Sequence, residues 1–582
     1  MLTFRVGIVD ETLPTRGITH LVEHLAMFPL TQGGASDRMN AAVEPQRTRF
    51  MCTGAPDEVK EFLQRVAHNL SHLPMERLDN EKKVLRTEGS NRPVWSTKSE
   101  WTWRYGPAGL GLVDWEEFGL RWLGPEAVTD WSTRWFTRGN AVLWISGPVP
   151  EGLELPLPSG ERKPTPHSQP LPYQTPGEYQ QGDKWVMLSM LGPRTADFLV
   201  ASRAIEIRLR ERLRNQSALA YDVHANYLRL DRETAQITAF ADALAQGANQ
   251  AANELVAEVW DLADKGPDSD ELEDIKREGR RVREHPEAGF GLLDQAALAE
   301  LEGLERKSPD ELEAEVQAVT PASVAAVLRS ARATSFLAIP NGVPMTTQGF
   351  VPIPVGSGTR HKGVRVVAMP GAGHDDIIDF DRDGISLSAP NGTVTGMRWS
   401  EIAAALWWTE GRRTLVGSEG SAINIIPSKW REVGPLLAAV QQNVPAERWV
   451  PMDEPGSLPS NVGPLCVVCQ SSPAIEVTLF NSKRWARVGR IHGLLCRDCG
   501  IARFREGQKQ LLTNGILNMR GWYGLVANIP KYQRFRKMPL PIRTSGINPL
   551  PKGSRVLAYP PLWIEAAVIA GVIAYVALSA AR

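Results

Sequence analysis

Nine prolines fall between Pro148 and Gly177, with few apolar runs among them. Proline fixes φ and removes a backbone donor, so neither a helix nor a central strand runs through such a stretch. Residues 148–177 therefore read as an extended linker. It separates two segments of similar size, 1–147 and 178–340, each mixing strand-like and helix-like patterns. The chain as a whole has 582 residues, which corresponds to about four domains at roughly 150 residues each. With 42% hydrophobic and 23% charged residues it can build sizeable cores, which excludes wholesale disorder. Its 65 Lys and Arg against 66 Asp and Glu leave a net charge of −1, so no global field draws it to nucleic acid, and no nucleic-acid partner is expected.

Hydrophobic periodicity places the elements. In the first segment it predicts strands at 47–52 and 141–145 and amphipathic helices at 56–73 and 75–88. In the second it predicts strands at 185–190 and 235–240 and helices at 199–213 and 246–263. Two α+β units joined by a linker suit an internal duplication. A second linker, 341–362, leads to a β-rich segment at 363–447. Short strands are expected there at 364–367, 376–380, 385–387 and 423–426, bounded by Gly, Asp and Asn turns, with one helix at 435–442. That order of elements, with Trp399 and Trp430, resembles a small bacterial pleckstrin-homology-like module.

Five cysteines are too few for a disulfide scaffold in a chain of this length. Four of them form two pairs of equal spacing, Cys466-Val-Val-Cys469 and Cys496-Arg-Asp-Cys499, leaving Cys52 alone. The pattern reads as metal in a reducing compartment, and four thiolates suit a closed, structural zinc site. A zinc ribbon is expected over 463–502, its long insert holding a hairpin with a strand at 475–479. Residues 503–561 read as an interfacial and basic linker, and the apolar stretch at 515–526 suits either a bilayer surface or packing against the ribbon. Residues 562–581 are apolar except for Glu565 and Ser579, and would span about 30 Å as a helix. Seven Lys or Arg and no acidic residue lie between Lys531 and Arg555, which places that side in the cytoplasm. The expectation is a single-pass tail anchor in the cell membrane with the bulk of the chain cytoplasmic; the alternative is a buried C-terminal helix.

The chemistry concentrates in Gly17-Ile-Thr-His20-Leu-Val-Glu23-His24, which contains H-x-x-E-H. On a helix His20 and His24 share a face and can present both imidazoles to one ion. Glu23 stands beside them, placed to take a proton from solvent that the metal polarises. This is the inverted zincin motif. It needs a third protein ligand. Glu81 and Glu88 lie seven apart, two helical turns on one face, and a merely solvated charged face is the other reading of that stretch.

With these glutamates the chain resembles the insulinase/pitrilysin family of zinc peptidases, which includes the mitochondrial processing peptidase. The resemblance covers about residues 1–340. It implies that Glu88 is the third zinc ligand and Glu81 a supporting carboxylate. Gly33-Gly34-Ala35 through Asn40-Ala41-Ala42-Val43 resembles the family's substrate-binding edge strand, which implies peptide binding at Asn40, Ala41 and Ala42 by strand addition; an ordinary turn and strand is the other reading. Arg214 and Tyr221 match the family's Arg-then-Tyr segment, which implies donors to the reacting carbonyl, against helix-end packing as the alternative. Two departures stand out. Only 19 residues precede His20, so the expectation is that a strand usually found ahead of the motif is missing or the start is truncated, and 64 positions separate His24 from Glu88, which implies a trimmed loop.

The expected fold class is thus α+β: two tandem α/β sandwich peptidase domains, a small β-rich module with one helix, a zinc ribbon and a C-terminal transmembrane helix. The expected function is a zinc metalloendopeptidase with one catalytic and one structural zinc. Its catalytic residues are Glu23, Glu81, Arg214 and Tyr221, acting on short or unfolded peptides. One chain supplies half of the family's chamber, so a homodimer or a second peptidase-like subunit is implied. The rival expectation is a catalytically inactive membrane-associated scaffold or partner subunit that keeps the fold.

Overall fold

The chain divides into two compact units, one of residues 1–355 with 417–421 and one of 356–416 with 422–582. The computed structural model describes residues 1–30, 38–89, 100–285, 288–369, 374–452, 466–469, 474–483, 487–511, 519–538 and 550. Both units mix helices and sheets, as the α+β class requires.

The first unit begins with a sheet of four strands, β1 (Leu2–Phe4), β2 (Met39–Val43), β3 (Thr48–Cys52) and β4 (Ala141–Leu143), in the order β2-β3-β1-β4. The short stretch ahead of the motif thus does hold a strand, and it lies inside the sheet, antiparallel to β3 and β4. Around it fold α1 (Ile18–Met27), α2 (Pro56–Ser71), α3 (Leu78–Gly89), α4 (Glu100–Tyr105) and α5 (Pro125–Trp135). Leu2, Phe4 and Phe50 on the strands share one core with Leu21, Val22 and Leu25 of α1, Phe62 and Val66 of α2 and Val128 of α5. The ring of Phe4 lies 6.0 Å from Phe50 and 5.0 Å from Phe136, tying the sheet to the chain after α5.

Helix α1 is apolar on several sides, with Ile18, Leu21, Val22, Leu25 and Ala26 all buried. Its first N–H groups therefore meet protein instead of water. Gly17 and Thr19 each donate at 2.9 Å to the buried carboxylate of Glu11. In α3 the residues Leu78, Glu81 and Leu85 are buried at helical spacing, and Glu88 follows at i+3 from Leu85. Residues 75–77, expected as the start of that helix, form a separate 3-10 turn.

A second sheet follows. Its elements are β5 (Gly177–Gln180), β6 (Trp185–Pro193), α6 (Ala196–Leu209), β7 (Ala220–Arg229), β8 (Thr234–Ala243), α7 (Ala248–Lys265), α8 (Ser269–Glu284), α9 (Ala288–Glu302), α10 (Pro309–Gln317), α11 (Pro321–Arg332), β9 (Phe336–Ile339) and β10 (Val351–Pro352). The strand order is β10-β5-β9-β6-β8-β7, with β5 parallel to β9 and β10 and the other pairs antiparallel. The helix expected over 199–213 runs as α6 to Leu209 and then widens into a π-helical turn over Arg210–Gln216. Tyr221 accordingly stands on a strand, β7, instead of at a helix end.

The proline-rich linker forms no regular element between its ends, as proline requires, but it is packed down. Leu157 joins the first core, and Leu171 donates its N–H to the Arg104 carbonyl at 2.7 Å. Nδ1 of His167 lies 2.5 Å from Asp231, whose other oxygen accepts from the N–H groups of Glu233 and Thr234 in the turn between β7 and β8. Helix α4 reinforces the junction of the two sheets. The buried Arg104 donates to both the carbonyl and the hydroxyl of Ser189 and to the carbonyl of Thr334, while Gln236 donates to Glu100.

In the second unit β11 (Val364–Val367), β12 (Ile377–Phe380), β13 (Gly384–Ser388) and β14 (Val394–Arg398) form an antiparallel meander. A second sheet contains β15 (Ile402–Trp407), β16 (Arg413–Gly417) and β17 (Ala422–Ile425). Helix α12 (Gly434–Asn443) and β18 (Trp449–Pro451), parallel to β15, complete it. Trp399 and Trp430 are buried in its core with Ile378, Leu415 and Leu436. The cysteine segment then forms a hairpin, β19 (Ala474–Lys483) and β20 (Arg487–Cys496), followed by α13 (Arg497–Gln510) and α14 (Met519–Lys537).

These last two helices correct the expected linker at 503–561. Phe504, Tyr532 and Phe535 share a core with Val477 and Leu479 of the hairpin. Asn528 both donates to and accepts from the Phe480 backbone at 2.8 Å. Asn528, Tyr532 and Phe535 fall at i, i+4 and i+7, a helical stripe that the basic residues between them conceal. Lys531, Arg534, Arg536 and Lys537, counted above as part of a basic linker, belong to this helix. The apolar tail at 562–581 and Gly33 to Ala35 lie outside the described residues. Among the described residues, no helix is long and apolar enough to cross a membrane.

Phe50, fully buried at the centre of the aromatic cluster, gives a direct check on the first core. Phe50→Ala should destabilise the first unit by about 3–5 kcal/mol in urea unfolding; a change below about 1 kcal/mol would show that the packing is not as described.

Candidate functional site

His20 and His24 occupy the face of α1 that α3 covers, and they are the motif's partly buried residues in an otherwise buried helix. Their rings stand edge to face, with centroids 4.9 Å apart. Each imidazole is held through Nδ1. His20 Nδ1 lies 3.0 Å from Glu117 Oε1, and His24 Nδ1 lies 3.3 Å from Glu81 Oε2. A carboxylate accepts only, so each Nδ1 carries a proton, and in the neutral ring each Nε2 keeps its lone pair. Those Nε2 atoms look toward the same place. His24 Nε2 is 3.9 Å from Glu88 Oε1 and 4.0 Å from Glu23 Oε2, and His20 Nε2 is 3.7 Å from Glu23 Oε2.

One ligand atom each from His20, His24 and Glu88 lies within 4.8 Å of the others. Atoms that each bind one zinc at about 2 Å must lie within about 4 Å of each other, so the triad matches this ion after small side-chain adjustments. The shortened spacing before α3 does not carry Glu88 away from the imidazoles. Glu81, on the same helix face, is buried, and its second oxygen accepts from Arg77 at 3.0 Å. Arg77 in turn lies over the ring of Phe28, just beyond the end of α1, 4.4 Å from its centroid.

Glu23 is nine-tenths buried, and burial pushes its carboxyl up to about 7; His24 draws it down, while Glu88 and Glu117 add to the rise. A carboxyl poised near neutrality beside two imidazoles can both accept and release a proton. Two contributors lay outside the sequence reading. Glu117 stands just before a 3-10 turn, 97 residues beyond His20, a separation at which no helical or strand period operates. Arg77 precedes Glu81 by four residues, so helical spacing alone could have marked it.

The other expected residues are placed separately. Asn40, Ala41 and Ala42 lie on β2, the edge strand of its sheet, whose far side no described strand pairs. The N–H of Ala41 donates to the Asn40 side chain at 2.9 Å. Arg214 and Tyr221 come together, the guanidinium 4.7 Å from the ring centroid, and Tyr221 is 75% exposed. Among the described residues neither makes a hydrogen bond or ion pair with His20, Glu23, His24 or Glu88.

The four paired cysteines also converge. All are buried, their sulfurs lie within 4.8 Å of one another, and Cys469 and Cys496 are 3.5 Å apart. Cys496 is the cap of α13 and Cys499 lies in its first turn, where the helix dipole favours a thiolate. Thiol donation from Cys496 and Cys499 holds Cys466 far below its ordinary pKa, and Cys466 pushes Cys496 up to about 12. Four sulfurs crowded in a dry pocket with no disulfide among them fit a tetrahedral zinc ion.

No protein-family model matches the sequence, and no curated protein matches it. Several solved structures are similar. A protease from Helicobacter pylori is 17% identical with a TM-score of 0.48, the match covering 58% of this chain and 93% of that one. The first half of the periplasmic protease PqqL from Escherichia coli is 15% identical with a TM-score of 0.46, covering 58% and 85%. A peptidase M16 inactive domain from Pseudomonas fluorescens is 14% identical with a TM-score of 0.47, covering 60% and 93%. At this level of likeness, activity must be judged from the site's own geometry.

The cysteine cluster yields a metal-content test. Cys469→Ser with Cys499→Ser should lower bound zinc by one ion per chain in elemental analysis and leave the hairpin open to limited proteolysis. Unchanged zinc content would show that the four sulfurs do not hold the ion.

Proposed function

We propose that this chain is a zinc-dependent endopeptidase acting on short or unfolded polypeptides. The observation that carries the reading is the division of labour on each imidazole: both Nδ1 atoms are engaged by carboxylates, and both Nε2 atoms turn toward Glu88 and Glu23. His20, His24 and Glu88 would hold the zinc, and the ion supplies Lewis-acid activation of water and of the peptide carbonyl. Glu23 takes the proton of the attacking water and returns it to the leaving amine, a role suited to a carboxyl raised toward neutrality. Glu81 fixes His24 from behind.

In this reading β2 receives the substrate as an added strand, with Asn40, Ala41 and Ala42 along the contact. Arg214 and Tyr221 are donors for the developing oxyanion. Exposed, and with no hydrogen bond or ion pair to the histidine cluster among the described residues, they are assigned here to the cleft of a second subunit, the working form being a homodimer or a pair with a related subunit. The cysteine cluster is a structural zinc site. The apolar tail at 562–581 anchors the assembly in the cell membrane with its bulk in the cytoplasm.

The test is hydrolysis of an unstructured fluorogenic peptide. Cleavage should stop on chelation and return with zinc, and Glu23→Gln should lower kcat/KM by about 10²–10⁴ while zinc stays bound. Undiminished cleavage by Glu23→Gln would remove the proposed base; zinc binding without cleavage by the wild type would favour an inactive scaffold. Sharing of the site predicts complementation: Glu23→Gln and Arg214→Ala chains, each nearly inactive alone, should recover about a quarter to a half of wild-type activity when mixed, since hybrid dimers contain one complete site. No recovery would mean that Arg214 acts within its own chain or not at all.

A further inference from the structure

Glu117 reaches His20 through a seat built for it. Its carboxylate is buried and lies between the imidazole, 3.0 Å away, and the Arg16 guanidinium, 3.4 Å away. The same Arg16 nitrogen lies 3.2 Å from Glu11, the carboxylate that caps α1, and the Arg16 Nε donates to the Leu112 carbonyl at 3.1 Å. One buried arginine therefore joins the cap of the motif helix to the group behind its first histidine. The backbone makes room for this. Gly17 has φ +97°, and a Cβ placed there would lie 2.6 Å from the Glu117 Cβ and 3.0 Å from its Cγ. Two residues on, Gly119 donates its N–H to the Arg16 carbonyl at 2.9 Å, drawing the Glu117 segment against the start of α1.

We infer that Glu117 is the positioning residue of His20, holding the proton on Nδ1 and aiming Nε2 at the ion, and that Gly17 and Arg16 seat it there. The inference rests on the reading of His20 as a zinc ligand, but its central claim concerns a tautomer that exists without metal. An imidazole with no partner exchanges between its two neutral tautomers and turns about its bonds. A carboxylate fixed by a buried guanidinium removes both freedoms before any ion arrives. Glu117 meets the motif through His20 Nδ1, so its role is to position that ring.

The experiment is nitrogen NMR of the full chain labelled at histidine, with the histidine site stripped by chelator and the His20 resonances assigned through His20→Asn. Wild-type His20 should be the Nδ1–H tautomer. In Glu117→Ala it should become a mixture, while His24 keeps its tautomer; Glu81→Ala should give the reverse pattern. Competition with a chromophoric chelator should show zinc affinity at this site falling about 10–100-fold in Glu117→Ala and recovering in part in Glu117→Asp. Gly17→Ala keeps the carboxylate but closes its seat, and should reproduce the Glu117→Ala spectrum; if it does not fold, Glu117→Ala, monitored by circular dichroism, decides alone. An unchanged His20 tautomer in folded Glu117→Ala overturns the inference. A shifted tautomer in a chain that binds no zinc at this site supports the positioning role and defeats the zinc reading, so the two failures are told apart.

Discussion

A helix buried against a sheet and three other helices cannot leave the N–H groups of its first turn to water, and the Glu11 carboxylate answers for those of α1. That carboxylate is itself a buried charge, tolerable only beside the Arg16 guanidinium. Arg16 then balances a second carboxylate, Glu117, and the chain of charges ends on His20. The fold and the site thus draw on one network. Groups required to bury the helix are the groups that orient its first imidazole, and the Arg77–Glu81 pair does the same work for the second. Such an arrangement is costly to disturb, because removing one partner leaves its neighbour charged and dry.

How much of this could be read from residues alone follows from distance along the chain. H-x-x-E-H and the Glu81/Glu88 pair were legible because helical geometry alone places such residues on common faces. That α3 would lie against α1, bringing Glu88 to His24, was an expectation from family resemblance and not from any period in the sequence. Glu117 was invisible, since nothing local in Trp115 to Phe118 marks a carboxylate destined for a histidine nearly a hundred positions earlier. The strand β7 was missed because Ala220–Arg229 alternates weakly, with Tyr221 and Asp222 both exposed at its start, and follows a helix without a clear stop. Helices α13 and α14 were hidden by their charge: a count of basic residues suggested a linker, while the apolar stripe that packs them on the hairpin is only one residue in three or four.

The cysteine hairpin has an economy of its own. Ala474, the first residue of β19, pairs with Cys496, the last of β20, so one cysteine pair stands just ahead of the hairpin's open end and the other closes it. Val467, between the first two cysteines, donates its N–H to the Leu494 carbonyl. Sulfurs placed to share a single ion would thereby fix strand register and the start of α13 together. Among its described residues that segment has one two-stranded sheet and two helices around a small core, a setting in which a bound metal would contribute strongly to folding.

The edge strand β2 is five residues long, about 17 Å of extended chain. Any guest strand laid along it is gripped through backbone atoms that all sequences share, and alternate residues of the guest point to opposite sides. Discrimination over that length can therefore consult no more than two or three side chains. In the proposed role, so short a surface would select by whether a segment can straighten out and enter, and only weakly by what it spells.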